Sequence, residues 1–490
     1  MEKIITKSVC PHCGKEIEAK IITENNNVYE IKTCSEHGEI KERLYDLTAF
    51  NKKILPYLKK LHEFKETEDI KECPYGCIGC TKHRTSTVLA IMEITNRCNL
   101  KCSYCFANSD ATGYLYEPTY EQCIAMIDKL REQDPPCPAI LISGGEPTIR
   151  EDLIDMVKYA RNKGMLVIIA TNGYKIAGSL EYAKKLQEAG LSVIYLSFDG
   201  LYDKSNTEKK NHLIIEKIFE NCRKAGNLNL MLVPAAIKGV NDDEVYEIIK
   251  FASKNSDIVR GVNFQPISFC GRMDDREREE QRYTISDLIK DISTQSNGEI
   301  SENDFYPVPV VLPMINFIQT YTNQTQIAFS VHPLCGSATY IFKDEKGNLI
   351  PMPRFLNVDK FTKLLEDYVI KMEKTNKITK PLLTAALIKD ITLTIDFSKV
   401  PKNLNILGLL SSIFLNNGDM QDLTNFHENT LFVGTMHFMD QYNADMERLK
   451  YCAIHYITPD LDIIPFCAYQ SFGYRQKVEN KWKKDIPKKE

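Results

Sequence analysis

The segment Cys98-Asn-Leu-Lys-Cys102-Ser-Tyr-Cys105 puts three thiols on one short loop. It follows directly on residues 88–94, an apolar run of the kind that fills a buried strand. A loop so rich in ligands needs a rigid frame, and the chain around it repeats one pattern. Apolar runs at 138–142, 166–170, 193–197, 230–234 and 262–265 alternate with amphipathic stretches such as 119–132, 151–162 and 212–224. Strands alternating with helices build parallel sheets with right-handed crossovers, so these units predict an α/β fold, a partial (β/α)6 barrel.

In barrels of this kind the chemistry sits at the carboxyl ends of the strands. The residues that follow the runs are polar and glycine-rich: Ser143-Gly144-Gly145-Glu146-Pro147-Thr148, then Thr171-Asn172-Gly173, Phe198-Asp199-Gly200 and Ile237-Lys238-Gly239-Val240-Asn241-Asp242. A dinucleotide-binding fold would need G-x-G-x-x-G after its first strand, where this chain has cysteines.

The chain holds 16 cysteines, clustered tightly enough to point to metal rather than to disulfides. Cys10-Pro-His-Cys13 and Cys34-Ser-Glu-His37 are two short knuckles flanking a strand-turn-strand stretch, a ribbon that grips one tetrahedral ion. Zinc and mononuclear iron both suit such a site. In Cys73-Pro-Tyr-Gly-Cys77-Ile-Gly-Cys80 the two glycines let the backbone wrap a bulky cofactor, and three thiols in eight residues suit an iron–sulfur cluster better than zinc. Cys123 shares an apolar stripe with Met126, Ile127 and Leu130, Cys222 shares one with Ile214, Ile215, Ile218 and Phe219, and Cys137 precedes a strand. These three are read as structural thiols.

The C-x3-C-x2-C spacing, Tyr104 before its last cysteine, and Gly144-Gly145-Glu146-Pro147 about forty residues on resemble the radical S-adenosylmethionine superfamily. The resemblance implies that Cys98, Cys102 and Cys105 hold three irons of a catalytic 4Fe–4S cluster, whose fourth iron is chelated by S-adenosylmethionine. It also implies that Gly144, Gly145 and Glu146 receive the ammonium group, and that Asn172, Ser197 and Asp199 contact the ribose and carboxylate. An electron-transfer protein would keep the cysteines without needing Gly144, Gly145 and Glu146.

Further segments, among them Cys73 to Cys80, Lys238-Gly239-Val240-Asn241-Asp242, Asn263-Phe264-Gln265-Pro266, His332-Pro333-Leu334-Cys335-Gly336, Met436-His437-Phe438-Met439-Asp440 and the stretch from Cys452 to Tyr469, resemble the archaeal tetraether lipid synthase family. Members of that family are also described as methyltransferases of a pterin in methanopterin synthesis. The resemblance implies radical C–C coupling of isoprenoid ether lipid tails, with methylation of a pterin as the alternative. It further implies two auxiliary 4Fe–4S clusters, one on Cys73, Cys77 and Cys80 and one on Cys335, Cys452 and Cys467, a low-potential donor such as ferredoxin, and a ribbon metal that is structural or an electron relay. His455, Cys222 and Cys270 are the candidates for the missing cluster ligands.

At 490 residues the chain is too long for one core. The expected division is a metal ribbon over 1–68, a cluster loop and barrel over 69–295, and a mainly helical cluster-binding and substrate region over 296–490. A net charge of −4 with no long basic block argues against nucleic acid, and the basic tail 481–489 is read as a solvated end. The start shows no leader, and the longest apolar run, 406–415, is too short to span a bilayer. A cytoplasmic protein is expected, with peripheral membrane contact if its substrate is lipid. The apolar segments 308–318, 382–387 and 404–415 are the ones that could line a passage for hydrocarbon.

Overall fold

Period-two burial along the first 46 residues makes an antiparallel ribbon in which each strand pairs with the next: β1 (Ile4–Val9), β2 (Glu16–Glu24), β3 (Asn27–Cys34) and β4 (Gly38–Asp46). In this computed structural model the described residues are 4–63, 73–78, 80, 83–322, 331–375, 379–409 and 430–485. The expected boundary at residue 68 and the end of the basic tail lie outside them.

The barrel strands are β5 (Leu89–Glu93), β6 (Ala139–Ser143), β7 (Leu166–Thr171), β8 (Val193–Leu196), β9 (Leu230–Leu232) and β11 (Val259–Pro266), with the two-residue β10 (Ala235–Ala236) on the edge of β11. All pair in parallel, β5 through β9 in sequence order and then β11. Alternation sorts each strand into two faces. Ala90, Met92, Ile140 and Ile142 are fully buried against the surrounding helices, while Leu89, Ile91 and Leu141 face the barrel interior. Helix Tyr120–Arg131 starts on a capping box between Thr119 and Gln122 and buries Cys123, Met126, Ile127 and Leu130. Cys222 is buried likewise on helix Ile215–Lys224, and Cys137 lies in the same core. A thiol locked in that outer layer has no route to the barrel mouth, so Cys222 is withdrawn as a cluster ligand.

The carboxyl-terminal region contains the expected helices and also extends the sheet. It adds β12 (Tyr306–Pro307), β13 (Gly336–Lys343), β14 (Leu349–Pro351), β15 (Thr430–Met436), β16 (Ile454–Ile457) and β17 (Ile463–Pro465). β15 pairs in parallel with β11 and β16 in parallel with β5, so both open edges of the barrel are covered. Those two pairings carry the late cysteine segments to the barrel.

The apolar segments proposed for a hydrocarbon passage go elsewhere. Residues 308–318 and 382–387 fall largely on helices Leu312–Thr322 and Lys380–Thr392, which pack with helix Val358–Glu373 and β13 into a separate core around Phe317, Leu365, Tyr368 and Leu387. Leu404 and Ile406 join that core, and residues 410–415 lie outside the described ones. None of these segments' described residues lines the barrel cavity.

The ribbon docks through buried charge. Arg282 bridges Glu42 of β4 (2.6 Å) and Asp440 beyond β15 (2.7 Å), all three almost wholly buried, and Lys32 of β3 donates to the Tyr442 carbonyl at 2.8 Å.

Candidate active site

The cysteine loop is clamped from two sides. On one side Gly145 N donates to the Thr95 carbonyl and Glu146 N to the Arg97 carbonyl, both at 2.8 Å. The glycine pair is required by this closeness: a Cβ on Gly144 would lie 2.2 Å from the Thr95 carbonyl oxygen, and one on Gly145 2.2 Å from that of Arg97. On the other side Arg272 donates from its backbone to the Cys105 carbonyl at 3.0 Å and from its guanidinium to the Cys102 carbonyl at 2.9 Å.

Behind this loop the barrel mouth holds a cavity of about 280 Å³. Cys98, Cys102, Cys105 and Tyr104 line it together with Gly144, Gly145, Glu146, Asn172 and Ser197. Segments remote in sequence thus meet in one chamber. Burial pushes the Cys98 and Cys102 thiols up to about 11, so coordination by a metal is what would ionise them at neutral pH. A tight backbone cradle beside three half-buried thiols fits a cubane cluster with one open iron and a small zwitterion chelating it.

Two expected contacts have other partners. The Glu146 carboxylate accepts from Thr148 N (3.1 Å), Thr148 Oγ1 (2.6 Å), Thr171 Oγ1 (2.7 Å) and Asn172 N (2.8 Å), and burial raises its pKa. Its chief work here is to tie the ends of β6 and β7 together. Asp199 accepts from Tyr104 Oη at 2.6 Å and from Ala235 N at 3.0 Å, and pairs with Lys209 at 2.6 Å. It therefore fixes Tyr104 and Lys209, and Lys209 lines the cavity in its stead. No local motif marked Lys209.

The far wall is aromatic and comes from the carboxyl-terminal region. Phe438 stacks on Phe466 with ring centroids 3.8 Å apart, and Phe466 on Tyr456 at 5.4 Å. Cys270 also lines the chamber, its thiol raised to about 12 by burial.

A second cavity, about 390 Å³, is lined by Cys73, Cys77 and Cys80 with His83 and His455. His83 Nε2 lies 3.1 Å from His455 Nε2 and 2.6 Å from the Cys452 carbonyl, so this cavity adjoins the third cysteine set. His83 went unnoticed in the sequence, where it follows Cys80 by three positions with no motif to mark it. Cys335 and Cys467 both act on buried Arg448, and burial first, then the neighbouring thiols, raises Cys452 (beside Cys335) and Cys467 (beside Cys452 and Cys335), so the three lie close together. In the ribbon, one ligand atom each from Cys10, Cys13, Cys34 and His37 lie within 4.8 Å of one another, a set sized for a single ion.

Comparison with known proteins agrees with this geometry. Residues 92–252 match the model of the Radical SAM superfamily, and residues 5–46 match the HMPTM N-terminal zinc ribbon domain. A Methanocaldococcus jannaschii protein named 7,8-dihydro-6-hydroxymethylpterin dimethyltransferase is 43% identical over 484 residues, 97% of this chain and 95% of that one. Fe-coproporphyrin III synthase of Methanosarcina barkeri is 41% identical over 133 residues, 27% of this chain and 32% of its own length. Among solved structures, Streptococcus suis SuiB aligns with a TM-score of 0.36 and 17% identity, covering 44% of this chain and 46% of that one.

Proposed function

Since the chain is a radical S-adenosylmethionine enzyme and belongs to the family of the Methanocaldococcus jannaschii dimethyltransferase, we propose that it methylates carbon on a hydroxymethyl-dihydropterin. A 4Fe–4S cluster and S-adenosylmethionine are the cofactors that membership brings. When bound, they supply one electron that breaks the C5′–S bond, giving methionine and a deoxyadenosyl radical that takes hydrogen from a substrate carbon. In this reading Cys98, Cys102 and Cys105 hold the cluster, and Gly144, Gly145, Asn172 and Ser197 orient the cosubstrate. Lys209, held by Asp199, offers a fixed positive charge to its carboxylate. The aromatic wall keeps water from the radical.

The observation that carries the choice of substrate is the shape of the chamber. It is compact, with a stacked aromatic wall suited to a flat heterocycle, and the apolar helices expected to line a hydrocarbon passage pack into a separate core. Tail coupling of isoprenoid lipids is therefore not carried forward as the first reading. No described helix is long and apolar enough to cross a membrane.

In the same proposal Cys73, Cys77 and Cys80 hold one auxiliary cluster and Cys335, Cys452 and Cys467 another. His455 supports the first as a ligand, because it is buried and its Nδ1 has no hydrogen-bond partner among the described residues. A ferredoxin-type donor supplies the electrons. The test is anaerobic incubation of the reconstituted enzyme with 6-hydroxymethyl-7,8-dihydropterin, S-adenosylmethionine, a one-carbon donor and a low-potential reductant. A pterin heavier by one CH2, formed with deoxyadenosine and methionine, supports the reading. Deoxyadenosine release without any pterin product, together with cross-linked tails when the gene is expressed in a host making diether lipids, overturns it in favour of lipid coupling.

A further inference from the structure

β11 carries two carboxamides on its inward face, Asn263 and Gln265, and both line the barrel chamber. Asn263 is 7% exposed and Gln265 half-buried, both border the open chamber, and neither side chain forms a hydrogen bond to another described residue. Burying an amide without a partner is costly, so such groups are normally satisfied. Space has also been kept for Asn263. Its neighbour across the β11–β15 pairing is Gly434, and a Cβ there would come within 3.2 Å of Asn263 Oδ1.

Resting on the pterin reading above, we propose that Asn263 and Gln265 determine substrate specificity by hydrogen-bonding the amino-lactam edge of the pterin. A carboxamide carries a donor and an acceptor side by side, as that edge does. Residues two apart on a strand stand about 6.8 Å apart on one face, a spacing that spans the polar edge of a pyrimidine half-ring. A hydrocarbon would leave both amides unpaired. The adenine of S-adenosylmethionine is the other flat ring in the reaction, but the cysteine and glycine segments that anchor the cosubstrate follow β5 and β6. β11 lies four strands beyond β6 in the sheet order, though both border the same chamber, so S-adenosylmethionine binding by the variants is measured alongside. The β11 side of the chamber instead borders the segment running from Met436 to Met439.

The experiment is equilibrium binding to the holoenzyme of 6-hydroxymethyl-7,8-dihydropterin and of the corresponding lumazine, which has oxygen in place of the 2-amino group. The wild type is expected to bind the lumazine roughly tenfold or more weakly, the equivalent of one lost hydrogen bond. Asn263→Leu and Gln265→Met are each expected to weaken pterin binding about tenfold and to shrink the discrimination towards unity, which general destabilisation would not do. Equal binding of the two ligands by the wild type overturns this inference alone, and that measurement stands whether or not the variants fold. Pterin affinity unchanged in both variants, or a loss confined to S-adenosylmethionine, overturns it likewise. A wild type that binds neither ligand overturns the pterin reading itself.

Discussion

The ribbon and the barrel mouth both present cysteines to metal, yet they prepare them in opposite ways. In the ribbon the four ligand atoms already lie within 4.8 Å of one another, and Cys34 is held down to about 6 by the backbone N–H of Glu36 and by His37. In the barrel the three cysteines share one loop, and burial pushes Cys98 and Cys102 up to about 11. The first arrangement is built for one ion and is nearly complete without it. The second is held from outside, by Arg272 and the glycine pair, and suits a larger cofactor with an open coordination position. Metal that stabilises a fold and metal that does chemistry thus differ less in ligand type than in where the restraint comes from.

The contrast breaks most sharply if the sites are not independent. Replacing Cys98, Cys102 and Cys105 together by alanine is expected to abolish deoxyadenosine formation, a loss of at least about 1000-fold, while the ribbon keeps one metal ion per chain; metal analysis beside a cleavage assay checks both halves. Next in size is the dock that joins the two regions. Arg282→Met leaves buried Asp440 without its cation and Glu42 with Arg278 alone, and should cost about 3–5 kcal/mol, read as a lower denaturation midpoint with the ribbon metal still bound by its own ligands.

Gly145→Ala tests the external restraint. Its Cβ would meet the Arg97 carbonyl, so the cysteine loop must shift, and S-adenosylmethionine affinity should fall about 10- to 100-fold while ribbon metal content stays the same. The smallest effect is on proton release. Metal binding requires thiolates, and Cys98 and Cys102 stay protonated up to about 11, so each should add about tenfold in metal affinity per pH unit between pH 7 and 9. In the ribbon Cys34, near 6, is already ionised there and adds no slope, whereas Cys13, lowered by the backbone N–H of Lys15 but raised overall by desolvation and by Cys10 and Cys34, does add one. Cobalt titration of variants retaining only one site should show the steeper rise for the barrel; equal slopes would mean that the two sets of thiols are prepared alike.

The barrel and its cysteine loop were legible because they rest on local signals. Strand periodicity placed all six parallel strands within a few residues of their observed bounds, and close-spaced motifs marked the ribbon and the loop. The apolar segments misled for a related reason: periodicity says that a helix face is buried, but not against what. Helices Leu312–Thr322 and Lys380–Thr392 have found each other and β13 rather than the chamber.

By itself, then, the sequence determined the α/β barrel, the four-ligand ribbon and the glycine cradle beside the cysteine loop, since each depends on residues close in the chain. Tertiary structure alone decided what surrounds the chemistry. Pairing of β15 with β11 and of β16 with β5 brings Phe438, Phe466 and Tyr456 to the barrel mouth and sets Gly434 beside Asn263. Such contacts join residues hundreds of positions apart. They arise from strand pairing and burial across the whole sheet, and no local spacing encodes them.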